Sequence, residues 1–188
     1  MHDATQILRN EHDVILNVLD ATERTAASLE AGTIVPPQVL SDTVEFLRLY
    51  ADRQHHGKEE DLLFPALEKR GMRRTGGPIG MMVMEHQFGR SLIAQMAETA
   101  RAYEGGDQEA GVDWADAAQN YAALLCEHIS KENNILFVMA ERILSPGEQQ
   151  QLAAEFAGVD KNKMGDGEGA RLLQLAERLT AKASPAAP

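Results

Sequence analysis

Residues 54–65 read QHHGKEEDLLFP and residues 128–137 read HISKENNILF. Laid over each other at an offset of 73 residues, His55, Lys58, Glu59, Leu63 and Phe64 meet His128, Lys131, Glu132, Leu136 and Phe137. A fainter echo sets Glu11-His12 over Glu85-His86 at an offset of 74. Two offsets one residue apart indicate a duplicated helical hairpin. Each half supplies one histidine from its first helix and a His-x-x-x-Glu pair from its second.

The rest of the chain agrees with a helical reading. Leu8, His12, Ile15, Leu16, Leu19 and Ala26 recur at three- and four-residue steps in a first helix over residues 5–30. AGTIVPP closes it, and a second helix over 38–69 carries Leu40, Val44, Leu47 and Ala51 on one face. RGMRRTGGP and EGGD bound a third helix over 78–103, and a fourth runs over 112–144. SPGE at 145–148 starts a fifth, with Ser145 as cap, Pro146 in the first turn and Glu148 three residues after Ser145. A last amphipathic helix covers 170–182 beyond the loop VDKNKMGDGEG. No window alternates with period two.

The expected fold is all-α, an antiparallel up-down-up-down four-helix bundle over 1–145. Two additional shorter helices and a disordered tail, ASPAAP, make up 146–188.

Composition narrows the function. A formal charge of −11 over 188 residues argues against nucleic acid, whose phosphates need clustered cations. The single cysteine, Cys126, excludes an intramolecular disulfide and a thiolate zinc site. No apolar run approaches the roughly 20 residues that span a bilayer, and the polar N-terminus is unlike a signal peptide. A soluble cytoplasmic protein that contacts neither nucleic acid nor membrane is expected.

Residues four apart in a helix lie one above the other, so His-x-x-x-Glu aims an imidazole and a carboxylate at one point. His55 with Glu59, His128 with Glu132, and the lone His12 and His86 give six candidate metal ligands. Four imidazoles and two carboxylates suit first-row ions such as iron, manganese or zinc better than calcium or magnesium. With both glutamates bridging, each metal takes two histidines and keeps positions open for a small ligand.

The doubled His55-His56 and Glu59-Glu60 leave a choice of register. Helical steps back from His55 reach Ala51, Leu47, Val44 and Leu40; those from His56 reach Asp52, Leu49 and Glu45. Periodicity and repeat both select His55 and Glu59, and place His56 and Glu60 on a solvated face or outside the ligands. Glu23 falls on the stripe of His12, Leu16 and Leu19, which suggests a buried partner or the bundle's far end. Tyr50, Tyr121 and Met81, Met82, Met84 and Met96 read as core, and Cys126 as packed away from the metals.

Glu-His-Asp at 11–13, H-x-x-K-E-E-x-x-L-F-P at 55–65, Gly-Pro-Ile at 77–79, Met-Glu-His at 84–86 and H-I-x-x-E-N-N-I-L-F at 128–137 resemble the hemerythrin-like, HHE cation-binding family. The similarity covers about residues 5–145. It implies an antiparallel four-helix bundle around a non-haem, oxo- or hydroxo-bridged pair of iron ions, with zinc or manganese as substitutes. The motifs are most similar to those of the repair-of-iron-centres di-iron proteins. That likeness implies reaction with O2, H2O2 or NO in oxidative and nitrosative stress, with catalase-like or NO-directed activity carried by the metals rather than by catalytic side chains. The fifth histidine of the oxygen carriers, in an HxxxH pair, is absent here, which favours an open site over reversible oxygen carriage. A non-catalytic module that binds iron or senses a diatomic gas is the other reading.

Overall fold

The computed structural model describes residues 3–159, 165 and 167–182. All its regular elements are helices: α1 (Ala4–Glu30), α2 (37–69), α3 (Pro78–Glu104), α4 (109–143), α5 (Pro146–Val159) and α6 (Glu168–Lys182). The expected elements are all present, and the fold is an all-helical bundle. His2 and the tail beyond Lys182 lie outside the described residues, as does most of the loop before α6. Among the described residues no helix is long and apolar enough to cross a membrane.

The breaks between helices follow local chemistry. Gly32 closes α1 with φ +74°, a left-handed conformation that only glycine adopts freely. Pro36 and Pro37 then set the extended entry and first turn of α2. The Tyr103 hydroxyl pins this connection, donating to the Val35 carbonyl at 3.0 Å and accepting from its amide at 3.2 Å. Asp107 caps α4 by accepting from the Glu109 amide at 3.0 Å. At α5 the expected capping box forms: Ser145 N–H donates to Glu148 Oε2 at 2.9 Å and the Glu148 amide faces Ser145 Oγ at 3.4 Å.

Two helices are not regular. Wide, π-type turns occupy Leu47–His56 and Glu59–Leu63 in α2, and Glu132–Leu136 in α4. Such turns hold one more residue than an α turn. Pro65 follows the second of them, but Val138 stands in its place in α4 beside the same widened turn. The widened turn therefore does not require a proline; the two segments share the His, Lys, Glu, Leu and Phe of the repeat.

Apolar packing forms two clusters. The larger gathers Ile15, Leu19, Leu47, Ala51, Ile93, Trp114, Tyr121 and Leu125. The smaller gathers Leu8, Leu63, Phe64, Met82, Leu136, Phe137, Leu152 and Phe156. Helix α5 joins the smaller cluster through Leu152 and Phe156, and α6 joins the larger through Leu172, Leu175 and Leu179. Each of α1 to α4 runs from one cluster to the other, and the polar residues of the repeat lie at the crossing. Tyr50 and Tyr121 are core residues, as expected, and so are Met82 and Met96.

Three expectations of burial are corrected. Met81 and Met84 are 45% and 56% exposed rather than part of the core. Glu23 is exposed: Thr22 and Ala26 take the buried face of α1 there, so no hidden partner is needed. Cys126 is exposed beside the buried Leu125.

Candidate metal centre

His12 comes from α1, His55 and Glu59 from α2, His86 from α3, and His128 and Glu132 from α4. The structure brings all six together, each between 0% and 1% exposed. Glu132 Oε2 lies 3.2 Å from His12 Nε2 and 3.3 Å from His128 Nε2. The Glu59 oxygens lie 3.8 Å from His55 Nε2 and 3.5 Å from His86 Nε2. Each glutamate thus faces one histidine from each half of the repeat. The Nε2 atoms of His86 and His128 approach to 3.1 Å.

His56 is the correction. It is 3% exposed, its ring stacks on His86 at 3.8 Å, and its Nε2 points inward. Counting faces at 3.6 residues per turn placed it on a solvated face or outside the ligands. The widened turn ending at His56 carries one residue more, so both adjacent histidines reach the interior. Glu60 is half-buried and stands one layer out, where Glu60 Oε1 accepts from His86 Nδ1 at 2.7 Å. Two overlapping donor groups result: His12, His55, Glu59 and Glu132, and His56, Glu59, His86 and His128, with donor atoms inside each group within 4.8 Å of one another.

Every imidazole is oriented from outside through Nδ1. His55 donates to Glu11 Oε2 at 2.9 Å and His128 to Glu85 Oε2 at 2.9 Å. Lys58 and Lys131 in turn donate to Glu11 and Glu85. His12 donates to Asn133 Oδ1 at 2.9 Å, and His56 faces Asp52 Oδ1 at 3.4 Å. Carboxylates and the amide oxygen only accept, so Nδ1 carries a proton, and any imidazole that is neutral turns its Nε2 lone pair to the centre. This outer layer repeats in part. Glu11 with Lys58 corresponds to Glu85 with Lys131, and Asn133 corresponds to Glu60.

Residues 3–140 match the hemerythrin HHE cation-binding domain. The chain belongs to this family. Uncharacterized proteins of Mycobacterium tuberculosis and Mycobacterium bovis are 23% identical to it over 163 residues, a span covering 87% of this chain and 63% of theirs. The chain therefore spans somewhat less than two thirds of the length of these relatives.

The donor set of this hemerythrin-like chain fits a metal. Two ligand atoms each about 2.1 Å from a cation, at right angles, lie about 3 Å apart, close to the separations above. The Nε2 atoms of His12, His55 and His56 and all four carboxylate oxygens of Glu59 and Glu132 make no hydrogen bond although buried. Leaving such groups bare costs several kcal/mol, and a cation supplies the missing partner. Electrostatics agree. Burial, then the Glu132 charge, pushes Glu59 well above the carboxylate range. Burial alone raises Glu132 too, but His128 and His12 hold it well below. Burial keeps His55 and His56 neutral, with neighbouring imidazoles adding to the effect. Two adjacent carboxylates in an apolar interior cannot both stay charged without added positive charge. The chain is a metal-binding protein of the hemerythrin type.

That the two His-x-x-x-Glu pairs converge was legible from spacing; Glu11, Glu85, Lys58, Lys131 and Asn133 were not assigned a role. Their signal was the repeat itself, in which Glu11, Lys58 and their counterparts recur beside the candidate donors.

Proposed function

We propose that the chain holds two iron ions and that this centre binds and reacts with a small oxidant, O2, H2O2 or NO, in the cytoplasm. The observation that carries the reading is the convergence of five Nε2 atoms and two carboxylates, most of them without hydrogen-bond partners, inside an enclosed crossing of four helices. Imidazole-rich donors with carboxylates suit iron, and zinc or manganese would occupy the same positions. Iron would supply one-electron redox chemistry and open coordination positions.

The chain's own residues hold the Nδ1 protons outward, keep the Nε2 lone pairs inward and exclude bulk water. Glu59 and Glu132 span the two halves. Disproportionation of two H2O2 to two H2O and O2 closes its own electron balance. Reduction of NO instead draws electrons from an outside donor.

Anaerobic purification followed by elemental analysis, an optical spectrum, and addition of peroxide or NO tests this reading. About two irons per chain with spectral change and peroxide loss supports it. Iron without turnover favours a sensing module, and a colourless zinc protein sinks the di-iron assignment.

A further inference from the structure

The repeat breaks at a few polar positions, and the structure gathers them in one place. His56, Asp52 and Glu60 correspond to Ile129, Leu125 and Asn133 of the second half, and Arg90 of α3 corresponds to Leu16 of α1. Arg90 Nε donates to Asp52 Oδ1 at 2.8 Å, and its terminal nitrogen donates to Glu60 Oε1 at 2.7 Å. Asp52 faces the Nδ1 of His56, and Glu60 accepts from the Nδ1 of His86. The two imidazoles stack with their planes 14° apart. One guanidinium fork therefore fixes the outer partners of two adjacent histidines, and its charge offsets two carboxylates that would otherwise repel.

We propose that Arg90 is a positioning residue for one of the two metal positions, that of His56, His86, His128 and Glu59, and that this position loads separately from its neighbour. The proposal rests on the dinuclear reading above. The neighbouring position has both glutamates, so its charge match to a divalent cation is built into its ligands. Its histidines are oriented by Asn133 and by Glu11 with Lys58, rather than by the carboxylates that Arg90 holds. The Arg90 position has three imidazoles and one shared carboxylate. Its affinity depends on the outer carboxylates, which make the imidazoles better donors.

Manganese(II) added to the metal-free full chain is the probe. Its electron paramagnetic resonance separates an isolated ion, with a resolved hyperfine pattern, from an exchange-coupled pair. The native sequence is expected to take up about two ions as a coupled pair. Arg90→Ala should weaken one of them about 10–100-fold, the usual effect of losing an outer partner. At limiting metal the variant then carries one ion with the isolated signal.

Arg90→Lys keeps a charge without the fork and should fall between. It also carries the comparison if Arg90→Ala does not fold, as judged by circular dichroism. Arg48→Ala, an exposed arginine on the same side, should match the native chain. Arg90 variants that keep both dissociation constants and the coupled signal overturn the proposal, as does equal weakening of both ions. A native chain that binds a single ion refutes the dinuclear reading instead.

Discussion

Replacing Glu11 and Glu85 by glutamine, one at a time, separates two sites that the sequence presents as equivalents. Each glutamate is 8% exposed, accepts from a candidate donor histidine and pairs with a lysine three residues beyond that histidine. Glutamine keeps the shape and an oxygen for the Nδ1 proton, so the perturbation is the loss of one negative charge. The lysines differ: the Lys58 side chain is 0% exposed and that of Lys131 is 35% exposed. Breaking a buried ion pair costs about 3–5 kcal/mol, because the remaining ion stays out of water. Breaking one whose cation reaches solvent costs up to about 1 kcal/mol. Glu11→Gln should therefore destabilise the metal-free protein by about 2–4 kcal/mol more than Glu85→Gln. Urea unfolding without metal reads this directly, since bound metal would mask it. With a slope of about 2 kcal/mol per molar, the midpoints should differ by about 1–2 M. Equal losses, or a larger loss for Glu85→Gln, would refute the reasoning.

Other consequences are measurable. His55→Ala should abolish loading of the position at His12 and Glu132, whereas His56→Ala should lower bound metal from about two ions per chain to about one, by elemental analysis. Metal-free stability should peak near pH 6.5. Below it the unfolded chain protonates histidines 55, 56 and 86, whose folded values are depressed; above it the contribution of His128, held up to about 9 by Glu132 and Glu85 against burial, is lost, and raised Glu59 acts in the same sense. Unfolding midpoints across pH 5–9 check this, and a monotonic rise would contradict it. Gly89→Ala should stabilise by about 0.5–1 kcal/mol, since its Cβ would sit 3.4 Å from the Tyr121 ring inside a helix. Gly111→Ala should destabilise by about 1–3 kcal/mol, because its Cβ would lie 2.9 Å from the hydrogen-bonded Tyr103 ring; thermal unfolding distinguishes the two.

The sequence made the helices and the six repeated donors readable because both rest on local spacing. Leu40, Val44, Leu47 and Ala51 mark a face by themselves, and the offset of 73 residues ties His55 and Glu59, which continue it, to His128 and Glu132 of α4. His56 escaped because its inward direction depends on a widened turn, and counting at 3.6 residues per turn assumes that no such turn exists. Glu23, Met81, Met84 and Cys126 escaped for another reason. Their exposure depends on which neighbouring helix covers them, and periodicity within one helix does not contain that information. Lys58 is the instructive intermediate: its recurrence was visible, but its full burial becomes intelligible with Glu11 beside it.

The centre sits where all four long helices cross between two apolar clusters, and each helix gives it at least one donor. Whatever cation fills it therefore couples to global folding rather than to a loop. For each position, every tenfold rise of free metal above its dissociation constant adds about 1.4 kcal/mol to the folded state. The fraction of chains open to proteolysis falls by the same factor, so the lifetime of this protein in a cell tracks the supply of its metal.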